Sequence, residues 1–325
     1  MRAIVDEGNQ TKLMEMPKPA LNSKEVRLKM KVAGLNRRDL YIKDRHESNA
    51  PPVILGSDGV GEVEAIGADV TRFKIGDKLI VNPGLYWNEA TIASAPDLEI
   101  VGFPHHGTFA EYYVQDEDYL EHKPAYLSDT EAAVLSLSAL TGYRAIFTKG
   151  QLKPGETVLI PGAGGGVSSY MIQFAKAQGA RVIVTSRKEA KLRKAKELGA
   201  DRGILTESEW GSALVNETID LVIDSIGAKT LTKCLDVLKP GGRLVTFGAT
   251  TEDSVSFNVR QFFYKQQMII GSTMGSREEL RALLTFIEKH QLRPVVDTVY
   301  SLDQYEEAFA RLEASTQFGK IAIKL

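Results

Sequence analysis

The sequence predicts an α/β protein with two domains, one rich in β-strands and one built around a doubly wound parallel sheet. The chain has 325 residues, about twice the usual ~150-residue domain. From Glu25 to Val32, charged and apolar residues alternate strictly, which is typical of a half-buried strand. After residue 122, short β-rich runs alternate with helical runs at the spacing of a parallel sheet.

The first third of the chain is predicted to be mostly β structure. Between residues 82 and 108 the regular pattern is weak, with Pro83, Gly84, Pro96 and Pro104, so this stretch is interpreted as a functional loop or a small lobe. The strands predicted in this part of the chain span residues 25–32, 59–66, 78–81 and 109–114.

The remaining two thirds of the chain are predicted to form the parallel sheet, followed by a C-terminal segment with both helices and a strand. Capping-box patterns at Ser128, Ser276 and Ser301 each predict the start of a helix. The final run, 320–325, reads as a strand with no local partner, and we expect it to return to the N-terminal domain. We therefore predict two domains. One contains residues 1–122 and 275–325, and the other contains residues 123–274. The predicted strands are 157–160, 182–185, 221–224 and 244–247, and the predicted helices are 170–178, 188–198 and 229–238.

Composition excludes several classes of protein. Hydrophobic residues make up 43% and charged residues 25%, which excludes a disordered or fibrous chain. A formal charge of −2, without any Lys/Arg run, argues against dedicated nucleic-acid binding. The single cysteine, Cys234, excludes an internal disulfide and any zinc site that needs two cysteines. The sequence shows neither a signal-peptide pattern nor an apolar run long enough to span a membrane, so a cytoplasmic protein is expected.

A glycine-rich turn lies between a predicted strand and a predicted helix. Glycines allow a tight turn and close approach of a pyrophosphate, and the helix N-terminus supplies N–H groups and a positive dipole. The pattern predicts a dinucleotide site and is not a P-loop, because no Lys-Ser/Thr follows the last glycine. The residues of this turn are Gly162, Ala163, Gly164, Gly165, Gly166, Val167 and Ser168, where Ser168 replaces the third glycine of the fingerprint.

The end of the next strand indicates which dinucleotide binds. An NAD site places Asp or Glu there to hold the ribose 2′-hydroxyl. This chain instead has Ser186, Arg187 and Lys188, with Lys191 one helical turn later. Cations suit a 2′-phosphate, so the sequence favours NADPH. The alternative is that these cations only solvate the start of a helix.

Several motifs in one order resemble the medium-chain dehydrogenase/reductase superfamily from end to end. The likeness is strongest to its zinc-free quinone oxidoreductase and enoyl reductase branch. The resemblance implies a GroES-like β domain followed by a Rossmann domain, and a C-terminal return to the first domain. The motifs span residues 33–39, 52–61, 73–77, 140–143, 173–179, 196–201 and 239–243.

The departures from this family concern metal binding. Zinc alcohol dehydrogenases of the family hold their catalytic zinc with Cys, His and Cys. The matching positions here are Asn36, Ser57 and Leu137, and the lobe that would hold a structural zinc contains no cysteine. An amide, a hydroxyl and an aliphatic side chain do not make a zinc shell. We therefore expect no bound metal.

The resemblance also implies roles for individual residues. Asn36 and Thr141 would lie near the nicotinamide, and Tyr41 would donate a hydrogen bond to substrate or cofactor unless it is structural. Ser57 and Asp58 would line the emptied zinc pocket as part of the substrate site. The remaining cofactor candidates are Arg37 at the pyrophosphate, Lys320 at the phosphates or else solvated, and Phe247, Gly248, Ala249, Gly271, Ser272 and Thr273 along the nicotinamide.

These inferences predict an NADPH-dependent, metal-free oxidoreductase that transfers hydride to a quinone or an α,β-unsaturated carbonyl. Two alternatives stay open: an alcohol or aldehyde oxidoreductase, and a non-catalytic NADPH-binding sensor or RNA-binding relative. The expected partners are a small-molecule substrate and further copies of the chain, as a homodimer or homotetramer.

Overall fold

The computed structural model describes residues 1–8, 10–47 and 49–325. Four helical segments of the described residues are not α-helical: Arg37–Asp44, Glu117–Tyr119 and Leu302–Gln304 are 3₁₀-helices, and Arg144–Lys149 is a π-helix. The α-helices are α1 (Asp129–Ala133), α2 (Ser136–Tyr143), α3 (Gly166–Ala177), α4 (Glu189–Glu197), α5 (Trp210–Ala213), α6 (Ala228–Val237), α7 (Val259–Tyr264), α8 (Arg277–His290) and α9 (Tyr305–Glu313). The strands are β1 (Arg2–Asp6), β2 (Thr11–Glu15), β3 (Glu25–Gly34), β4 (Val53–Ile54), β5 (Asp58–Ile66), β6 (Lys78–Val81), β7 (Gly84–Leu85), β8 (Glu99–Ile100), β9 (Tyr112–Asp116), β10 (Leu120–His122), β11 (Thr157–Ile160), β12 (Arg181–Ser186), β13 (Arg202–Leu205), β14 (Ile219–Asp224), β15 (Leu238–Thr246), β16 (Met268–Gly271), β17 (Val296–Ser301) and β18 (Lys320–Lys324).

The chain divides into two units, and the predicted α/β class is confirmed. Unit 1 contains residues 1–140 and 275–325, and unit 2 contains residues 141–274. The first boundary thus falls at Leu140, whereas the sequence placed it after residue 122. The cause is α1, which packs on β3 and β5 and keeps the segment 123–140 with the first unit.

Unit 1 is built on a sheet whose strands follow the order β10-β6-β5-β3-β18-β17, with β9 also paired to β3. The alternation along β3 buries Val26, Leu28, Met30 and Val32, as the period of two requires. Gly34 ends β3 where α1 passes close by, and a Cβ there would lie 2.7 Å from the Ala133 carbonyl oxygen. Glycine is therefore needed at this contact.

The last strand, β18, is central in this sheet although it ends the chain. It pairs antiparallel with β3, with Ala322 opposite Gly34, and parallel with β17. Ile321, Ala322 and Ile323 are buried. The C-terminal segment thus completes the core of the unit that the N-terminal segment begins.

One predicted strand of unit 1 was placed wrongly. The run 109–114 reads as one strand, but β9 begins at Tyr112. Phe109 and Ala110 pair elsewhere, because the Phe109 N–H donates to the Leu55 carbonyl and Ala110 bridges to Ala3. These residues extend the small sheet β2-β1-β4.

The three predicted capping boxes all form. In each box the serine side chain accepts from the backbone N–H three residues later, and the side chain of that later residue accepts from the serine N–H; the pairs are Ser128 with Glu131, Ser276 with Glu279, and Ser301 with Gln304. The apolar run that follows Ser128 does not form one helix, however. It breaks after Ala133 and continues as α2 and the π-helix 144–149.

Unit 2 is a parallel sheet with the strand order β13-β12-β11-β14-β15-β16. The four strands predicted here correspond to β11, β12, β14 and β15. Cys234 lies on α6 and is completely buried, as a small hydrophobic side chain would be. Within the described residues, no helix combines the length and apolar character that crossing a membrane requires.

Candidate functional site

The glycine-rich turn of unit 2 joins β11 to the N-terminus of α3. Gly162 and Gly164 adopt positive φ angles of 81° and 113°, which non-glycine residues rarely do. The Ala163 N–H donates to the Thr185 carbonyl at 2.7 Å and ties the turn to β12. The first N–H groups of α3 have no acceptor within the helix, so this turn is suited to bind a phosphate.

Ser168 stabilises the turn instead of weakening it. Its hydroxyl lies 3.2 Å from the Gly162 carbonyl and 3.0 Å from the Gly165 carbonyl. The Ser168 side chain is buried under the turn. It occupies the position where the fingerprint usually has its third glycine. The departure from the three-glycine fingerprint therefore has a local explanation.

Cations flank the turn where β12 ends. Ser186 closes the strand and accepts a hydrogen bond from the Lys188 N–H at 3.2 Å, and Arg187 is exposed. A Cβ at Gly164 would lie 2.6 Å from Lys191 Cδ and 3.2 Å from its ammonium nitrogen. Lys191 thus places a positive charge directly beside the glycine-rich turn.

The other cofactor candidates of unit 2 follow β15 and β16. The Phe247 N–H donates to the Asp224 carbonyl, and the Ser272 N–H donates to the Thr246 carbonyl at 2.8 Å. Carboxyl ends of parallel strands share one edge of a sheet, and ligands of such sheets bind outside that edge. Gly248, Ala249, Gly271 and Thr273 belong to the same two segments.

Unit 1 holds a buried cluster around the ammonium of Lys320. Its nitrogen lies 2.5 Å from Asn36 Oδ1, 3.1 Å from Ser138 Oγ and 3.2 Å from Asp58 Oδ2. Asp58 also accepts from the Asn36 side-chain amide at 2.9 Å and from the Leu137 N–H at 2.7 Å. All three N–H groups of Lys320 are thus committed, and a phosphate contact would require one of these bonds to break.

This cluster is closed to solvent. Asp58 is 0% and Lys320 3% exposed, and burial lowers the pKa of the Lys320 ammonium below its ordinary value. Asp58 opposes that effect, because its carboxylate pairs with the ammonium. In this structure Asp58 supports Asn36 and Lys320 and presents no free oxygen to a substrate.

Asp39 is a second buried carboxyl close to this cluster. Its Oδ2 accepts from the Asn36 N–H at 2.7 Å, but its Oδ1 is buried without a partner. Burial raises the pKa of Asp39 from 3.8 to about 6. The structure thus keeps an under-bonded carboxyl beside Asn36.

A guanidinium contacts Ser57, the residue at the position that matches the ligand histidine of the zinc enzymes. Arg38 Nη1 donates to Ser57 Oγ at 2.6 Å and to the Val101 carbonyl at 2.8 Å. The Ser57 hydroxyl in turn donates to the same carbonyl at 2.6 Å, and Ser57 is completely buried. Burial lowers the pKa of Arg38, although arginine stays cationic at neutral pH.

These contacts do not fit a zinc ion. The oxygen of Asn36 accepts from an ammonium, the hydroxyl of Ser57 accepts from a guanidinium, and Leu137 offers an aliphatic side chain. Two cations at the ligand positions would repel a divalent ion. No group of three or more His, Cys, Asp or Glu side chains suited to a metal occurs among residues 1–8, 10–47 and 49–325.

The remaining candidates lie apart from this cluster or offer single contacts. The Tyr41 side chain is 40% exposed on the 3₁₀-helix 37–44. Arg37 donates to Ser315 Oγ at 2.7 Å, and its Nε is buried without a partner. Thr141 is buried and is the first residue of unit 2.

Sequence reasoning missed Arg38 and Ser138 as members of this site. Arg38 was visible inside the motif 33–39, but nothing in the sequence showed that its side chain would contact Ser57. Ser138 follows Leu137, and its partners come from residues about a hundred or more positions away. Only the fold brings them together.

Comparison with known proteins identifies the class. The profile "Alcohol dehydrogenase GroES-like domain" matches residues 22–125, and the profile "Zinc-binding dehydrogenase" matches residues 166–289. A zinc-type alcohol dehydrogenase-like protein of Schizosaccharomyces pombe is 34% identical, over 94% of this chain and 92% of that protein. A quinone oxidoreductase of Pseudomonas aeruginosa is 30% identical, over 92% of this chain and 91% of that protein.

A solved structure agrees with these matches along the whole length. The crystal structure of an NAD-dependent alcohol dehydrogenase is 35% identical, covers 100% of both chains and superposes with a TM-score of 0.93. The fold and its matches define an enzyme of the oxidoreductase class. The chain belongs to the medium-chain dehydrogenase/reductase superfamily.

Removing the Lys320 ammonium should destabilise unit 1. Lys320→Met leaves the Asp58 carboxylate buried and unpaired, so we expect the free energy of unfolding to fall by about 3–5 kcal/mol. Urea denaturation measures the loss. Lys324→Met, an exposed lysine on the same strand, is the control and should change stability by less than about 0.5 kcal/mol. An equal effect of both substitutions would contradict the paired role of Lys320.

The raised pKa of Asp39 predicts a pH-dependent stability. Because the folded state holds the Asp39 proton more tightly than the unfolded state, the stabilisation is complete below pH 3.8 and is lost as the pH rises through about 6. Relative to Asp39→Asn, the wild type should therefore lose about 2–3 kcal/mol between these limits. Denaturation at several pH values tests this. The control Asp44→Asn, on the exposed end of the same 3₁₀-helix, should show no such trend.

Proposed function

We propose that this oxidoreductase is an NADPH-dependent, metal-free reductase of quinones or α,β-unsaturated carbonyls. The observation that carries the proposal is the pair of cations at the zinc-ligand positions. Lys320 holds Asn36, and Arg38 holds Ser57, in contacts that a metal shell would need for itself. The P. aeruginosa relative named a quinone oxidoreductase supports the same reaction class.

The absence of a Lewis acid in this proposal restricts the acceptor. Bound NADPH supplies a hydride, and the acceptor must spread the incoming electron pair onto oxygen. Quinones and conjugated carbonyls do so, whereas a saturated ketone depends more on a metal to polarise its carbonyl group. The protein contributes orientation, exclusion of water and hydrogen bonds to the developing oxyanion.

The cofactor proposal rests on the residues around the glycine-rich turn. The positive N-terminus of α3 suits the pyrophosphate, and Arg187 with Lys191 suits a 2′-phosphate. β12 ends in Ser186 and not in a carboxylate. Arg37, with one buried N–H unpartnered, is proposed as a further phosphate ligand.

Asn36 is proposed to position reactants and not to transfer protons. Its amide nitrogen donates to Asp58, and its oxygen accepts from Lys320 and Ser138. Such a fully bonded carboxamide is held in one orientation. Thr141 is proposed to act near the nicotinamide, and Tyr41 as a hydrogen-bond donor to the acceptor or cofactor.

A second candidate function is an alcohol or aldehyde oxidoreductase. The alcohol dehydrogenase structure with a TM-score of 0.93 favours it, and that protein is described as NAD-dependent. A third reading, a non-catalytic NADPH-binding sensor or RNA-binding relative, shares the cofactor site but not turnover. One set of assays separates the three.

The decisive assay follows NADPH and NADH consumption with quinones, enones, enals and saturated ketones. We expect turnover of quinones or enones, with NADPH preferred by about tenfold or more, since one charge-assisted bond exceeds the 1.4 kcal/mol of a tenfold ratio. Treatment with a chelator should leave the rate unchanged.

Each other result of this assay points to a different function. Loss of activity on chelation, or activity with alcohols alone, would overturn the metal-free reductase and favour the alcohol dehydrogenase. Cofactor binding without turnover of any acceptor would favour the sensor.

Cofactor preference should depend on Arg187. We expect Arg187→Ala to raise the KM for NADPH about tenfold or more and to leave the KM for NADH nearly unchanged, because only NADPH carries the 2′-phosphate. Steady-state kinetics with both cofactors measures the change. Arg193→Ala, an exposed arginine on α4, is the matched control. Equal effects of Arg187→Ala on both cofactors would exclude a 2′-phosphate contact.

We further propose that the chain forms a homodimer or homotetramer. β16 lies at one edge of the unit 2 sheet, and its Met268 and Ile269 side chains are exposed. The adjoining α7 exposes Phe263 and Tyr264. An exposed apolar edge strand is normally covered by a partner. Light scattering that gave the mass of one chain would contradict this assembly.

A further inference from the structure

We propose that Arg38 is the residue that binds the acceptor oxygen and stabilises the negative charge that develops there. The inference rests on the proposed reductase function and adds to it a residue that neither the sequence motifs nor the family resemblance indicated. It follows from where the guanidinium lies, how it is held and which of its N–H groups remain available.

The guanidinium is held in place by neutral oxygens. Nη1 uses both of its protons, on Ser57 Oγ at 2.6 Å and on the Val101 carbonyl at 2.8 Å. Nη2 makes a long contact of 3.4 Å with the Phe103 carbonyl. The hydrogen bonds of Arg38 thus go to a hydroxyl and two carbonyls, which orient the charge without neutralising it.

One edge of the guanidinium is left for a ligand. Within the described residues, the Nε–H of Arg38 forms no hydrogen bond, and the side chain is partly exposed. Nε–H and one N–H of Nη2 lie along the same edge of a guanidinium, and such a fork fits an oxygen that carries negative charge. Lys320 offers no comparable group, because its three N–H bonds are all occupied inside a closed cluster.

Two carboxylates and one cation lie near Arg38, and none of them hydrogen-bonds to its guanidinium. Asp39 and Asp58 act on the guanidinium through space, and so does the positive charge of Arg45. Asp58 is already paired with Lys320, and Asp39 accepts from the Asn36 N–H. Neither carboxylate hydrogen-bonds to the guanidinium, so its remaining N–H groups would bind the oxyanion.

In this proposal, bound NADPH would supply the hydride for a new C–H bond at the β-carbon of an enone. The C=C π pair would form the enolate C=C bond, and the C=O π pair would move onto oxygen. The Arg38 N–H groups bind that enolate oxygen. Water then protonates the α-carbon, the carbonyl forms again, and hydroxide is released. The acceptor is reduced by two electrons and the nicotinamide is oxidised by two.

The test compares Arg38→Gln and Arg38→Lys with the wild type. We expect Arg38→Gln to lower kcat/KM for enones and quinones about 10²–10³-fold, as loss of an oxyanion donor does, with little change in the KM for NADPH. Arg38→Lys should recover part of the rate, because it restores the charge without the fork. Arg45→Gln removes a nearby exposed charge and is the matched control. Tyr41→Phe, measured in parallel, reports on the other candidate donor.

A spectroscopic readout separates binding of an oxyanion from a structural role. para-Nitrophenol is the probe, because the absorbance of its phenolate gives its pKa when bound. In the wild type and in Arg45→Gln we expect the bound pKa to be lowered by about one pH unit, and in Arg38→Gln we expect the effect to vanish. Thermal melts of each variant accompany these measurements, and Arg38→Lys keeps the test valid if Arg38→Gln does not fold.

The outcomes distinguish this inference from the proposed function. Turnover that is equal in wild type and Arg38→Gln, or an unchanged phenolate pKa in that variant, would overturn the role of Arg38 while the reductase stands. Phenolate binding that depends on Arg38, in a protein that reduces no acceptor, would keep the oxyanion site and overturn the reductase. If Tyr41→Phe lowers kcat/KM as much as Arg38→Gln or more, the acceptor oxygen is bound by Tyr41 and not by Arg38.

Discussion

The buried ammonium of Lys320 is the interaction on which the organisation of unit 1 depends. It joins the last strand, β18, to Asn36 after β3, to Asp58 at the start of β5 and to Ser138 on α2. Burying an ammonium costs several kcal/mol unless it is paired and fully hydrogen-bonded. The cost is offset only when all four segments are in place, so this cluster specifies how the C-terminal strand returns to the sheet.

In the proposed metal-free reductase, the cations of the site belong to the protein. A zinc ion is a mobile Lewis acid that needs thiolate or imidazole ligands. Here the two positive charges are covalently attached and aimed by fixed acceptors, Asn36 for one and Ser57 for the other. Lys320 is sealed and orients its neighbours, whereas Arg38 keeps an unbonded edge. In the proposed reductase, Lys320 would therefore have a structural role and Arg38 an electrostatic one.

Local sequence signals predicted the parts of the fold that depend on neighbouring residues. Alternation predicted β3, the glycine-rich turn was placed between β11 and α3, and Ser128 predicted the start of α1. The boundary predicted after residue 122 differs from the structural division at Leu140, because the packing of α1 on β3 and β5 is not encoded in the run that follows Ser128. The cluster around Lys320 was also missed, since its partners lie up to 284 positions away in sequence. Side-chain direction across such distances is decided by tertiary packing.

Unit 2 and unit 1 therefore constrain function to different degrees. The turn and sheet of unit 2 are shared by oxidoreductases with many substrates, so they indicate a dinucleotide but say little about the acceptor. In unit 1, by contrast, the acceptor chemistry depends on single side chains at a few positions. Replacing one ligand histidine by Ser57 creates a hydroxyl that Arg38 can hold, and this contact needs no change in the strand β5 that follows it. In the proposed reductase, Asn36, Arg38 and Ser57 would take the place of metal ligation, while the buried Asp58–Lys320 pair joins β18 to β5.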